Sequence, residues 1–146
     1  MYTEYYGLKE KPFNLNPSAR YLYLGESHRE ALALLSYGVH ERKGFILLTG
    51  EVGTGKTTMV QTLLSELDED IEYVYLSNPV LTPHDFLKYL VSSALKKKLQ
   101  FKSKADFLFE FEDFLKKNYQ QQKNFVLIID EAQKLSFELL EEIRLL

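Results

Sequence analysis

Apolar residues in this chain fall into two alternating rhythms. One is short and continuous: FILLTG at 45–50, YVYLSN at 73–78 and FVLIID at 125–130 are compact apolar runs, the form a strand takes when both faces of its sheet are covered. The other recurs every three or four positions, as an amphipathic helix requires. Ala31, Leu34, Leu35 and Val39 follow Ser27 and Glu30, which have the spacing of a capping box, and run on to Gly44. Met59, Val60, Leu63, Leu64 and Leu67 run to the acidic turn DED. Phe86, Leu87, Leu90, Val91, Ala94 and Leu95 stand behind Thr82, Pro83 and Asp85, an N-cap, a first-turn proline and a capping acid. Ser103 and Asp106 open a further helix with Phe107, Leu108, Phe111, Phe114 and Leu115, and Ser136 opens a last one with Leu140 and Ile143 inward. Residues 1–24, punctuated by Pro12 and Pro17, are irregular. Strands alternating with helices predict an α/β fold with a parallel sheet and helices on both faces.

Composition narrows this picture. A chain of 146 residues suits one domain. Its net charge of −3 provides no general basic field for nucleic acid. The run Lys96, Lys97, Lys98 reads as a solvated helix end. There is no cysteine, which excludes disulfides, thiol catalysis and zinc–thiolate sites. His28, His40 and His84 show no metal-ligand spacing. Every apolar run is far shorter than the ~20 residues that span a bilayer, and the amino terminus has no signal-peptide core, so a cytoplasmic location is the default.

The chemistry starts at GEVGTGKTT, where Gly50, Glu51, Val52, Gly53, Thr54, Gly55, Lys56, Thr57 and Thr58 satisfy G-x-x-x-x-G-K-[ST] between a predicted strand and a predicted helix. The glycines let consecutive backbone N–H groups turn toward phosphate oxygens at a helix N-terminus. Lys56 is positioned to reach the β- and γ-phosphates, and the Thr57 hydroxyl to ligate Mg²⁺. Asp130 and Glu131 end the third apolar run. That arrangement brings carboxylates to the carboxyl edge of a parallel sheet, where Asp130 would hold the Mg²⁺ shell and Glu131 would orient and deprotonate the attacking water. On this expectation the loop and the acid pair converge on one triphosphate. No N-K-x-D or T-K-x-D guanine-reading element occurs, which favours ATP.

YYGLKEKPFNLNPSARYLYL, SHREALALL, GFILLTGEVGTGKTT, YLSNP and IDEAQKLSFELLEEIRLL together resemble the AAA+ ATPase domain of the ExeA/GspA-type secretion ATPases, whose relatives serve pilus biogenesis. The resemblance implies a P-loop NTPase fold of the ASCE type, with ATP and Mg²⁺ bound by Gly50 to Thr58, Asp130 and the catalytic Glu131. It implies homo-oligomerisation, secretion or pilus machinery as partners, and a place at the inner face of the membrane for the whole protein. It sets Tyr21 or His28 near the adenine, and Asn78 where such proteins keep a polar residue that holds the catalytic glutamate back. It also implies a further strand, inserted between the acid-bearing strand and the phosphate-loop strand, together with an arginine finger and a helical lid, none of which the 146 residues contain. Residues 1–146 are therefore expected to be the N-terminal portion of one ATP-binding domain, with 1–44 an amino-terminal segment and helix and 45–146 a partial core. Such a piece is expected to expose apolar surface, to self-associate and to turn ATP over slowly. The alternatives are a DNA-binding AAA+ regulator of the transposition type and a nucleotide-gated scaffold without turnover.

Overall fold

The computed structural model describes residues 2–11, 23–100 and 102–146. Much of the amino-terminal block that carries the resemblance, Tyr21 included, lies outside them. Two compact units divide the chain, Met1–Leu67 and Asp68–Leu146.

The first unit contains helices α1 (Tyr2–Tyr5), α2 (Glu26–His40) and α3 (Lys56–Glu66). The box expected at Ser27 does not form. Extended Gly25 is the N-cap, without a side-chain cap bond, so Ser27 already lies inside the first turn. Buried Gly38 lets the helix approach Ile46 so closely that a Cβ there would collide with the isoleucine Cδ1. Segment 45–50, expected as a strand, is not one. The sheet of described residues has two strands, both in the second unit. A strand exists through the ladder it shares with a neighbour, and apolar character without such a neighbour does not create one. Phe45 and Leu47 are 75% and 81% exposed, so this run also lacks the double cover its composition suggested.

In the second unit, β1 (Ile71–Leu76) pairs in parallel with β2 (Asn124–Ile129), Ile71 opposite Asn124 and Leu76 opposite Ile129. The expected strands at 73–78 and 125–130 thus begin and end earlier. Asp70 already accepts the Asn124 N–H, and the last bond of the series runs from the Asp130 N–H to the Leu76 carbonyl. One face of the pair, Val74 and Leu76 with Phe125, Leu127 and Ile129, packs against α4 (Pro83–Ala94), α5 (Lys104–Gln120) and α6 (Phe137–Arg144). Phe86, Leu90, Phe107 and Leu139 are wholly buried there. The Phe107, Phe111, Phe114 stripe is core, as its helical spacing predicts. Phe111 and Phe114 each meet the Phe125 ring edge-on, at 5.5 and 5.4 Å between centroids.

The caps on these helices follow the sequence. Thr82 accepts the Asp85 N–H, Ser136 accepts the Leu139 N–H, and Ser103 and Asp106 form a full reciprocal box. Each such cap contributes about 0.5–2 kcal/mol. Helix α6 turns Leu139 inward rather than Leu140, which is 47% exposed.

Candidate functional site

In the first unit the phosphate loop is shaped by backbone conformations that favour glycine. Gly53 and Gly55 take φ of 81° and 84°, values that cost residues with a Cβ about 1–2 kcal/mol. Gly55 is also the N-cap of α3, and its carbonyl receives the Met59 N–H at 2.8 Å. Loop and helix start are therefore one structure, as phosphate binding at a helix N-terminus requires. The Lys56 ammonium donates to the carbonyls of Gly50 (2.8 Å) and Glu51 (2.7 Å). The Thr54 hydroxyl donates to the Glu51 carbonyl at 2.9 Å. Val52 stands fully exposed at the loop tip. Thr57 and Thr58, half-buried, sit in the first turn of α3. His28, reached from α2, touches the loop: its Nε2 lies 3.0 Å from the Thr54 carbonyl.

In the second unit Asp130 leaves the end of β2. Its Oδ1 accepts the Glu131 N–H at 2.8 Å and its Oδ2 accepts the Tyr75 hydroxyl at 2.9 Å. Tyr75 lies on β1 opposite Ile128, so it shares with Asp130 the sheet face turned away from the core. Glu131 holds φ 54° and ψ 38° and caps a 3₁₀ turn, Ala132–Lys134, that was not expected. Arg42, Lys96 and Gln122 also take positive φ, of 52° to 58°. The exposed Glu131 carboxylate turns back onto this turn: the Gln133 amide donates to it at 2.5 Å and the Lys134 ammonium stands 3.8 Å away. Asn78 lies beyond the end of β1, where its side-chain oxygen accepts the Val80 N–H at 3.4 Å, a local turn contact.

Tyr75, Gln133 and the loop contact of His28 were not anticipated. The two tyrosines of YVYL marked a shared strand face, but which of them meets Asp130 depends on register. Among the described residues no group of three or more His, Cys, Asp or Glu side chains could hold a metal ion. The oxygen donors expected for Mg²⁺, Asp130 and Thr57, nonetheless suit that ion, which is ordinarily held by one or two carboxylates with phosphate and water completing its shell. Nor is any helix among those residues long and apolar enough to cross a membrane.

Comparison with known proteins agrees with these features. A General secretion pathway protein A from Aeromonas hydrophila is 43% identical to the chain over 149 residues, an alignment covering all of this chain and 27% of that protein. The chain thus spans about a quarter of that relative's length. No solved structure matches it. The family described as an AAA domain matches residues 39–146, which takes in the phosphate loop, both strands and the acid pair. The chain belongs to that AAA domain family.

Proposed function

We propose that this chain binds ATP with magnesium and hydrolyses it as the ATP-binding part of a secretion or pilus assembly ATPase. The observation that carries the proposal is the loop before α3, where Gly53 and Gly55 at positive φ open the backbone and Lys56 projects its ammonium among the loop's own carbonyls. An ammonium bonded to backbone carbonyls can exchange those acceptors for the more strongly charged oxygens of a phosphate chain. Backbone N–H groups and the helix N-terminus then receive the remaining phosphate charge.

Asp130 would hold magnesium through its carboxylate, and the Thr57 hydroxyl offers an oxygen of the kind that ion accepts. Magnesium, when bound, would supply charge neutralisation to the phosphate chain. Glu131 accepts a proton from the attacking water as its oxygen bonds to the γ-phosphorus. The bond to the bridging oxygen breaks, and ADP and inorganic phosphate result. To act so, the Glu131 carboxylate must leave the Gln133 amide. A transition-state arginine is worth about 10³–10⁵ in rate, and Arg144 is bonded to Glu141 at 2.8 and 3.1 Å, so turnover stays slow while that pair holds.

Thermal melting with magnesium and ATP tests the proposal. Saturation near 100 times Kd should stabilise the protein by about 2.7 kcal/mol. Lys56→Ala should lose that gain, whereas Glu131→Gln should keep it and release no phosphate. A parent melting curve indifferent to Mg·ATP would overturn the reading. Turnover by the parent chain above about 1 s⁻¹, typical of kinases, would overturn its slow-hydrolysis component.

A further inference from the structure

The geometry points to Tyr75 as a positioning residue that sets the orientation of the Asp130 carboxylate toward the magnesium ion. This rests on the proposed metal-binding role of Asp130. A carboxylate on a single rotatable stem at the end of a strand has several orientations open to it. Here both of its oxygens are engaged. The Glu131 N–H reaches Oδ1 at 2.8 Å and the Tyr75 hydroxyl reaches Oδ2 at 2.9 Å. The first donor belongs to the adjoining backbone and turns with it. The second comes from the neighbouring strand and ties the carboxylate plane to the sheet.

Tyr75 can do this because it is itself held. Parallel register places it opposite Ile128, and the Asp130 N–H donates to the carbonyl of the next residue, Leu76, at 2.9 Å. From α4 the Tyr89 hydroxyl donates to the Tyr75 carbonyl at 2.8 Å. The tyrosine therefore bonds at both ends, through its phenol to the carboxylate and through its backbone to the helix that covers the sheet. A hydrogen bond from a fixed donor orients a metal-binding carboxylate before the metal arrives, and loss of such an outer partner typically lowers metal affinity about 10–100-fold.

The test is a magnesium titration of the chain at fixed ATP, read as the Mg²⁺ concentration giving half the maximal rise in melting temperature. Tyr75→Phe keeps the ring and removes only the hydroxyl. It should raise that midpoint about tenfold, while leaving unchanged both the melting temperature without ligand and the stabilisation by ATP in chelator. Tyr73→Phe, one pleat earlier on the same face, should leave the midpoint in place. A merely structural role for the hydroxyl would lower the ligand-free melting temperature and spare the midpoint, and a Tyr75→Phe midpoint within twofold of the parent would overturn the inference. Asp130→Asn separates this failure from that of the underlying reading. If it shifts the midpoint and Tyr75→Phe does not, only the tyrosine's role falls. If Asp130→Asn has no effect either, the magnesium role of Asp130 falls as well.

Discussion

The phosphate loop and the acid-bearing strand pair are built by different physics. In the loop, the shape resides in a few consecutive backbone angles: Gly53 and Gly55 at positive φ, with Lys56 at the start of a helix. That shape is local, and it is present although the apolar run before it joins no sheet. Around Asp130 almost nothing is local. The carboxylate's position depends on β1 and β2 keeping their register, on Tyr75 arriving from a strand 55 positions away, and on a core of fully buried side chains beneath. The loop should therefore be sensitive to backbone substitutions and tolerant of core loss, and the acid edge should be the reverse.

Three experiments would break or sharpen that contrast. The largest effect belongs to the core under the strands: Phe107→Ala should cost about 3–5 kcal/mol in urea denaturation, whereas exposed Phe109→Ala on the same helix should stay within about 0.5 kcal/mol. Equal costs would mean that the Phe107 pocket is not the core of its unit. Next comes Gly55→Ala. Placing a Cβ at φ 84° should introduce about 1–2 kcal/mol of strain and abolish Mg·ATP stabilisation, as followed by melting with and without nucleotide. Unchanged binding would show that the loop does not depend on left-handed glycine.

The smallest effect is a pH dependence at the far end of β1. The hydrogen bond from Lys123, helped by the charges of Lys96 and Lys123 and opposed by partial burial, holds the Glu72 carboxyl below its ordinary value. A depressed folded value means that the stabilisation is present above the unfolded value near 4.5 and disappears as pH falls through the folded value. Glu72→Gln should therefore melt slightly below the parent at pH 7, and the two curves should converge in acid. A gap that persists at the acid end would assign the loss to packing instead.

What the sequence disclosed follows the same division between local and distant causes. Thr82, Ser103 and Ser136 were readable as caps because a cap is satisfied by a residue three positions on. Ser27 misled because Gly25, two residues earlier, already supplied an extended N-cap. The left-handed backbone at Gly53 and Gly55 arises for the same local reason, within a few consecutive residues. The strand expected at 45–50 did not form, because apolar character is local and a ladder partner is not. Strand limits shifted by one or two residues because register, rather than composition, ends a strand. Leu139 displaced Leu140 from the core because one residue is about 100° of helix, and the facing direction is settled by what the helix packs on. The Tyr75 hydroxyl could not be matched to Asp130 before the register of Tyr75 with Ile128 was known.

The close approach at Gly38 sets a dimension by means of a missing atom. Ile46 rests where any other residue's β-carbon would stand, so the gap between α2 and the stretch leading to Gly50 is narrower than two ordinary side chains permit. Alanine at position 38 would act as a shim. It would press on the end of the half-exposed Ile46 side chain, which would have to turn aside, without altering any residue in the loop.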